Sequence, residues 1–126
     1  MKLLRMLSSW PRSLLFKSPY TCNVKITTRC NFRCGFCGLW SMDHSNELHL
    51  ESYRYIADLL NQLGLARVVV TGGEPLLRDD APEIINLFAR RGLSTTLLTN
   101  GTLLTRDKLK RVKDLGLNDI GISLDS

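Results

Sequence analysis

Arg67-Val68-Val69-Val70-Thr71-Gly72-Gly73-Glu74-Pro75 is a β-branched run that stops abruptly on two glycines and a proline. Such a run suits a strand covered on both faces. A helical pattern follows: Asp80 can cap it, Pro82 sits in its permissive first turn, and Ile84, Ile85, Leu87 and Phe88 form an apolar stripe before Gly92. The same unit recurs on both sides. Tyr20 to Thr28 alternates Cys22, Val24 and Ile26 with Asn23, Lys25 and Thr27, a strand with one polar face. Ile56, Leu59, Leu60 and Leu63 mark a helix from Glu51 to Leu63 that Gly64 can end. Thr95 to Thr99 reads as a third strand. Thr105 can cap a third helix, with Asp107 in its first turn, and Gly116 closes it. Asp119 to Asp125 alternates again as a fourth strand.

Each helix ends in the same dipeptide, Gly64-Leu65, Gly92-Leu93 and Gly116-Leu117. The order β-α-β-α-β-α-β predicts an α/β fold with parallel strands joined by right-handed crossovers. In such sheets the loops after the strands' C-terminal ends carry chemistry. Here those loops hold Cys30, Cys34 and Cys37, then Gly72 to Pro75, then Asn100-Gly101, and finally Ser126. Asn23, Lys25, Ser123 and Asp125 fall opposite the aliphatic positions, so helices are expected on the aliphatic face and a cavity on the polar one. Solvated side chains on an open sheet are the alternative.

Cys30, Cys34 and Cys37 are spaced C-x-x-x-C-x-x-C in one short loop. Three thiolates this close cannot all pair with one another, which points to ligation of a metal or an inorganic cluster. Cys22, on the aliphatic side of the first strand, reads as a buried apolar residue. A closed zinc site completed by Cys22 or His44 is the competing arrangement, and His44 and His49 otherwise read as ordinary loop residues. Arg29 and Arg33 flank the cysteines, either solvated or facing an anionic centre. This cysteine usage does not resemble a secreted disulfide framework and fits a reducing cytoplasm.

At 126 residues the chain suits one domain, and its 44% hydrophobic content is that of an ordinary globular protein. No run of about 18 apolar residues occurs to span a bilayer. The net charge of +5 is concentrated at the front: residues 1–42 carry seven bases and no acid, leaving 10 bases against 12 acids in the remainder. Residues 1–19 read as a basic N-terminal extension whose leucines cover the scaffold, with a membrane-surface helix or targeting leader as the other reading. No nucleic-acid partner is expected, since interleaved aromatics and a binding module are both lacking.

The cysteine spacing, Phe36 before the last cysteine, Gly72-Gly73-Glu74-Pro75 after the second strand and Ser123-Leu124-Asp125 in the fourth together resemble the radical S-adenosylmethionine (radical SAM) superfamily. The likeness spans Tyr20 to Ser126 and is greatest to the branch of the molybdenum-cofactor cyclase and the peptide maturases. It implies a partial (β/α)6 barrel, of which residues 20–126 would be a truncated core lacking two βα units and leaving a strand edge unpaired. It further implies a 4Fe-4S cluster held by Cys30, Cys34 and Cys37, with one iron left open for S-adenosyl-L-methionine. Reductive cleavage then yields a 5′-deoxyadenosyl radical that takes hydrogen from a small-molecule or peptide substrate, with electrons from a flavodoxin or ferredoxin. By the same resemblance Phe36 packs near the adenine, and Gly72, Gly73, Glu74 and Pro75 meet the methionine amino group. Glycines free of Cβ atoms and a carboxylate suit an ammonium. Ser123 reaches the ribose or carboxylate, and Thr99 and Asn100 lie at the neighbouring strand end. A non-catalytic iron-sulfur or zinc module, or an incomplete inactive domain, remains the alternative.

Overall fold

The computed structural model describes residues 19–124. Its strands are β1 (Thr21–Thr27), β2 (Arg67–Gly72), β3 (Ser94–Thr99) and β4 (Asp119–Ile122), and its helices are α1 (Leu50–Gln62), α2 (Ala81–Arg90) and α3 (Arg106–Asp114). One helix follows each of the first three strands, as the sequence pattern predicts. The sheet is wholly parallel in the order β1-β2-β3-β4, so consecutive strands are also neighbours. Val24, Val70, Leu97 and Ile120 lie side by side in that register. They face the helices. The core beneath them gathers Tyr53, Ala57 and Leu60 of α1, Ile84, Ile85 and Phe88 of α2, and Val112 of α3.

The repeated Gly-Leu dipeptide closes each helix in the same way. Each glycine takes a positive φ, and the following leucine amide bonds back to the carbonyl five residues earlier: Leu65 to Leu60, Leu93 to Phe88 and Leu117 to Val112. This is the Schellman arrangement, in which the residue after the glycine makes an apolar contact with the helix it leaves. Leu65 and Leu93 are fully buried, and Leu117 packs against the same core. One dipeptide thus ends the helix and supplies a core side chain.

Three details differ from the sequence reading. Among the described residues β2 is covered by helices on one face only: Val68 and Val70 are buried while Val69, on the other face, is half-exposed. Asp80 occupies the N-cap position of α2 without capping it, since its carboxylate is held by Arg78. β4 ends at Ile122, so Ser123 follows the strand rather than lying within it, and Asp125 falls outside the described residues. Thr105 does cap α3, accepting from the Lys108 amide at 3.2 Å. The expected basic extension lies almost wholly outside the described residues. Among those described, no helix is long and apolar enough to cross a membrane.

The uncovered face is closed at its lower end, where Arg67 donates to Thr96 Oγ1 at 2.7 Å and reaches Asp119 at 3.6 Å. Its upper end opens into the cavity described below. At the centre of the opposite face, Phe88 is fully buried. Phe88→Ala should cost about 3–5 kcal/mol, read as a shift in the urea midpoint with an unchanged slope.

Candidate active site

Cys30, Cys34 and Cys37 follow β1 and half-bury their free thiols in one wall of a cavity of about 370 Å³. The loop is shaped locally: the Cys37 amide bonds the Cys34 carbonyl at 3.0 Å, and the Phe32 amide points at Cys30 Sγ at 3.4 Å. Donors aimed at cysteine sulfurs tune iron-sulfur centres. Gly72 and Gly73 form the second wall, and Thr99, Asn100 and Ser123 the third. Phe36 stands at the rim, 77% exposed. Phe32, Thr71, Leu98 and Leu124 also line the space, which the sequence reading missed. Thr71 and Leu98 could have been found from strand parity, since both alternate onto the uncovered face. Asn23 and Lys25, expected there, do not line it.

Glu74 and Pro75 are not in the cavity wall. Glu74 is fully buried, and both its oxygens are occupied: Oε1 accepts from the Leu76 amide at 3.0 Å and Thr99 Oγ1 at 2.8 Å, and Oε2 from the Asn100 amide at 2.8 Å. It fastens the turn after β2 to the end of β3. The glycines, which line the cavity, also lie hard against the chain on their other side. A Cβ on Gly72 would overlap the Thr27 carbonyl oxygen, and one on Gly73 the Arg29 carbonyl oxygen. Their bareness lets the turn press on the backbone that leads into the cysteines, where Gly73 N–H bonds Thr27 O at 2.9 Å and Glu74 N–H bonds Arg29 O at 2.7 Å.

Beneath the loop lies a polar hub. Arg78, 8% exposed, donates to Ile26 O at 2.8 Å and to Leu48 O at 3.0 Å, the carbonyls just before and just after the cysteine loop. A two-pronged bond to Asp80 at 2.8 Å satisfies the rest of its fork, and its guanidinium lies 5.4 Å from the Tyr53 ring centroid. Glu47 accepts from Thr27 Oγ1 and from Arg29 Nε, the latter at 3.2 Å. Burial alone would raise the Glu47 carboxyl, but the bonds from Thr27 and Arg29 outweigh it and hold it below its ordinary range. The Asp80 carboxyl is likewise held low, chiefly by its bond from Arg78.

The remaining polar residues near the cysteines are engaged elsewhere. Arg29 is taken by Glu47, and Arg33 lies over the Trp40 ring at 5.4 Å. His44 shares a hydrogen bond with Thr28 Oγ1 at 2.7 Å. Cys22 pairs in register with Val68 at the opposite end of β1 from the loop, packed on the core.

A radical SAM superfamily model matches residues 24–126. The chain belongs to that superfamily. Among curated relatives it is 36% identical over 102 residues to the Fe-coproporphyrin III synthase of Methanosarcina barkeri, covering 79% of this chain and 26% of the relative. It is 37% identical over 109 residues to a GTP 3′,8-cyclase of Syntrophomonas wolfei, covering 82% and 33%. The chain therefore spans about a quarter to a third of the length of these relatives. Among solved structures, BtrN in complex with AdoMet and 2-DOIA superposes with a TM-score of 0.74 at 22% identity, over 85% of this chain and 46% of BtrN. Streptococcus suis SuiB bound to its precursor peptide SuiA gives 0.68 at 20% identity, over 85% and 24%. A GTP 3′,8-cyclase is one kind of relative to which the sequence motifs point, and the fold is that of radical SAM (β/α) barrels.

Two measurements probe the hub. Arg78→Met strips the donor from the Ile26 and Leu48 carbonyls and from the part-exposed Asp80 carboxylate and should cost about 1–3 kcal/mol. Arg78→Lys should recover only part of this, because an ammonium cannot fork; a loss below about 1 kcal/mol for the methionine variant in chemical unfolding would contradict the hub. Glu47 and Asp80 have folded pKa values below their unfolded ones, so their stabilisation is complete above the unfolded values of about 4 and is lost as pH falls through the folded ones. Glu47→Gln should accordingly flatten the acid limb of a plot of melting temperature against pH.

Proposed function

We propose that this chain carries the cluster- and cofactor-binding part of a radical SAM enzyme, with Cys30, Cys34 and Cys37 holding a 4Fe-4S cluster and S-adenosyl-L-methionine occupying the cavity beside it. One observation carries the reading. Three thiols face a single cavity, and among the described residues no other Cys, His, Asp or Glu lines it. A four-iron cluster held there keeps one iron free of protein, as the superfamily's chemistry requires. Tetrahedral zinc would need its sulfurs about 3.8 Å apart around one ion, from Zn–S bonds of about 2.3 Å. Among the described residues no three Cys, His, Asp or Glu side chains are grouped to hold a single ion. A closed zinc site would also lack its fourth ligand, since Cys22 lies at the far end of β1 and His44 is bonded to Thr28 Oγ1. The cavity's volume is in the range of small-molecule sites.

When bound and reduced, the cluster supplies the electron that cleaves S-adenosyl-L-methionine and generates a radical able to take a substrate hydrogen. The residues of this chain position the components. Gly72 and Gly73 offer backbone groups to the methionine amino end, with Glu74 and Pro75 bracing that turn from behind. The Glu74 carboxylate acts here as a brace rather than as the ammonium's partner, because its oxygens are already filled. Phe36, exposed at the rim, is free to stack on the adenine. Ser123, with its amide bonded to Thr99 O at 2.9 Å, holds its hydroxyl at the far wall toward the ribose or carboxylate, next to Thr99 and Asn100. Leu98 and Phe32 exclude water from the space between. Electrons would come from a small reductant such as flavodoxin or ferredoxin, and the substrate is a small molecule or peptide.

Anaerobic loading with iron and sulfide, then electron paramagnetic resonance of the reduced protein, tests this directly. Adding S-adenosyl-L-methionine should change the signal of the reduced cluster; an unchanged signal, or a colourless protein holding stoichiometric zinc, would overturn the proposal. Ala in place of Cys30, Cys34 or Cys37 should abolish a stable four-iron cluster, while Cys22→Ala should retain it.

A further inference from the structure

Asn31 follows the first cysteine and points away from the core, yet both ends of its amide are bonded. Its Oδ1 accepts from Asn100 Nδ2 at 2.8 Å, and its Nδ2 donates to Thr102 Oγ1 at 2.8 Å. Thr102 Oγ1 in turn donates to Asn100 Oδ1 at 2.7 Å. The three side chains close a ring in which each donates once and accepts once. Such a ring has one consistent direction, so the two amides and the hydroxyl fix one another's orientation, and each bond polarises the next.

The ring has a rigid base. The Thr102 amide also bonds Asn100 Oδ1, at 3.0 Å, and the Asn100 amide is held by buried Glu74. Glu74 belongs to the turn that presses on the Arg29 carbonyl, one residue before Cys30. Two routes therefore run from the loop after β3 to the first cysteine: one through the backbone at Arg29, the other through the Asn31 side chain. Between them they clamp Cys30 from both sides.

We propose that Asn31 is a positioning residue for Cys30, and that the Asn31–Asn100–Thr102 ring makes the loop after β3 set the orientation of that thiol. The inference rests on the site proposed above, but its first readout needs no cluster. In the metal-free chain, Cys30 and Cys37 alkylation by a maleimide can be followed separately by peptide mass. Asn31→Ala and Thr102→Val should each raise the Cys30 rate several-fold by a similar factor, and the double variant should go no further. Cys37 should keep its rate. Thr102→Ser, which retains the hydroxyl, should restore the wild-type rate. Global unfolding should be nearly unchanged in all of them, because the ring lies at the surface.

An unchanged Cys30 rate in Thr102→Val, a serine variant that behaves like the valine one, or additive effects in the double variant would each overturn the ring as the positioning device. In the iron-loaded protein the same variants should lose cluster to a chelator several-fold faster than wild type. Failure of the wild type to load a cluster would refute the function proposed above and leave the alkylation result to decide this one.

Discussion

The guanidinium of Arg78 holds together parts of the chain that would otherwise have no reason to meet. A loop of some twenty residues between Thr27 and Leu50 has little regular structure, only one short 3-10 turn, and ordering it costs about 1–2 kcal/mol per residue in backbone entropy alone. Joining Ile26 O to Leu48 O through one planar group brings the ends of that loop to a fixed separation. The charge this requires is buried, and buried charges are tolerable only when paired and fully bonded. Asp80 and the Tyr53 ring meet that condition here. The cysteines are thus displayed on a loop whose ends are fixed from below, while the Cys37 amide to Cys34 carbonyl bond shapes its tip.

Much of the fold was legible because periodicity is a local property. The alternation of Cys22, Val24 and Ile26, the stripes of α1 and α2, and the Gly-Leu endings each announce an element without knowledge of the others. What stayed hidden depends on partners far away in sequence. Asp80 has the look of a helix cap, but an arginine two residues earlier competes for the same carboxylate and wins by forming two charged bonds. The Val68-Val69-Val70 run does not reveal whether its second face is covered, since a β-branched strand suits either case.

The site was legible in its residues and less so in their roles. Gly72, Gly73 and Glu74 suggest a ligand-facing turn with a charged partner for an ammonium. The structure presses the glycines against the backbone at Thr27 and Arg29 while leaving them in the cavity lining, and turns the carboxylate to Thr99 and Asn100. Sequence cannot say which way a turn's side chains point when two different surfaces lie within reach. Asn31 carried even less signal: an asparagine among cysteines is unremarkable until Asn100 and Thr102, about 70 residues later, come to lie against it.

The strictly sequential strand order bears on how such a chain is made. A protein synthesised from its N-terminus adds each of these strands at the outer edge of those already in place, and none must be threaded between earlier neighbours. The cysteine loop emerges second, after β1, but its fastenings arrive over time: Glu47 first, then the glycine turn and Arg78, and last Asn100 and Thr102. During that interval the thiols are tethered without being aligned. The contacts around the cysteines are therefore complete only after the loop beyond β3 has left the ribosome, and agents that capture loose thiols have their opportunity before it.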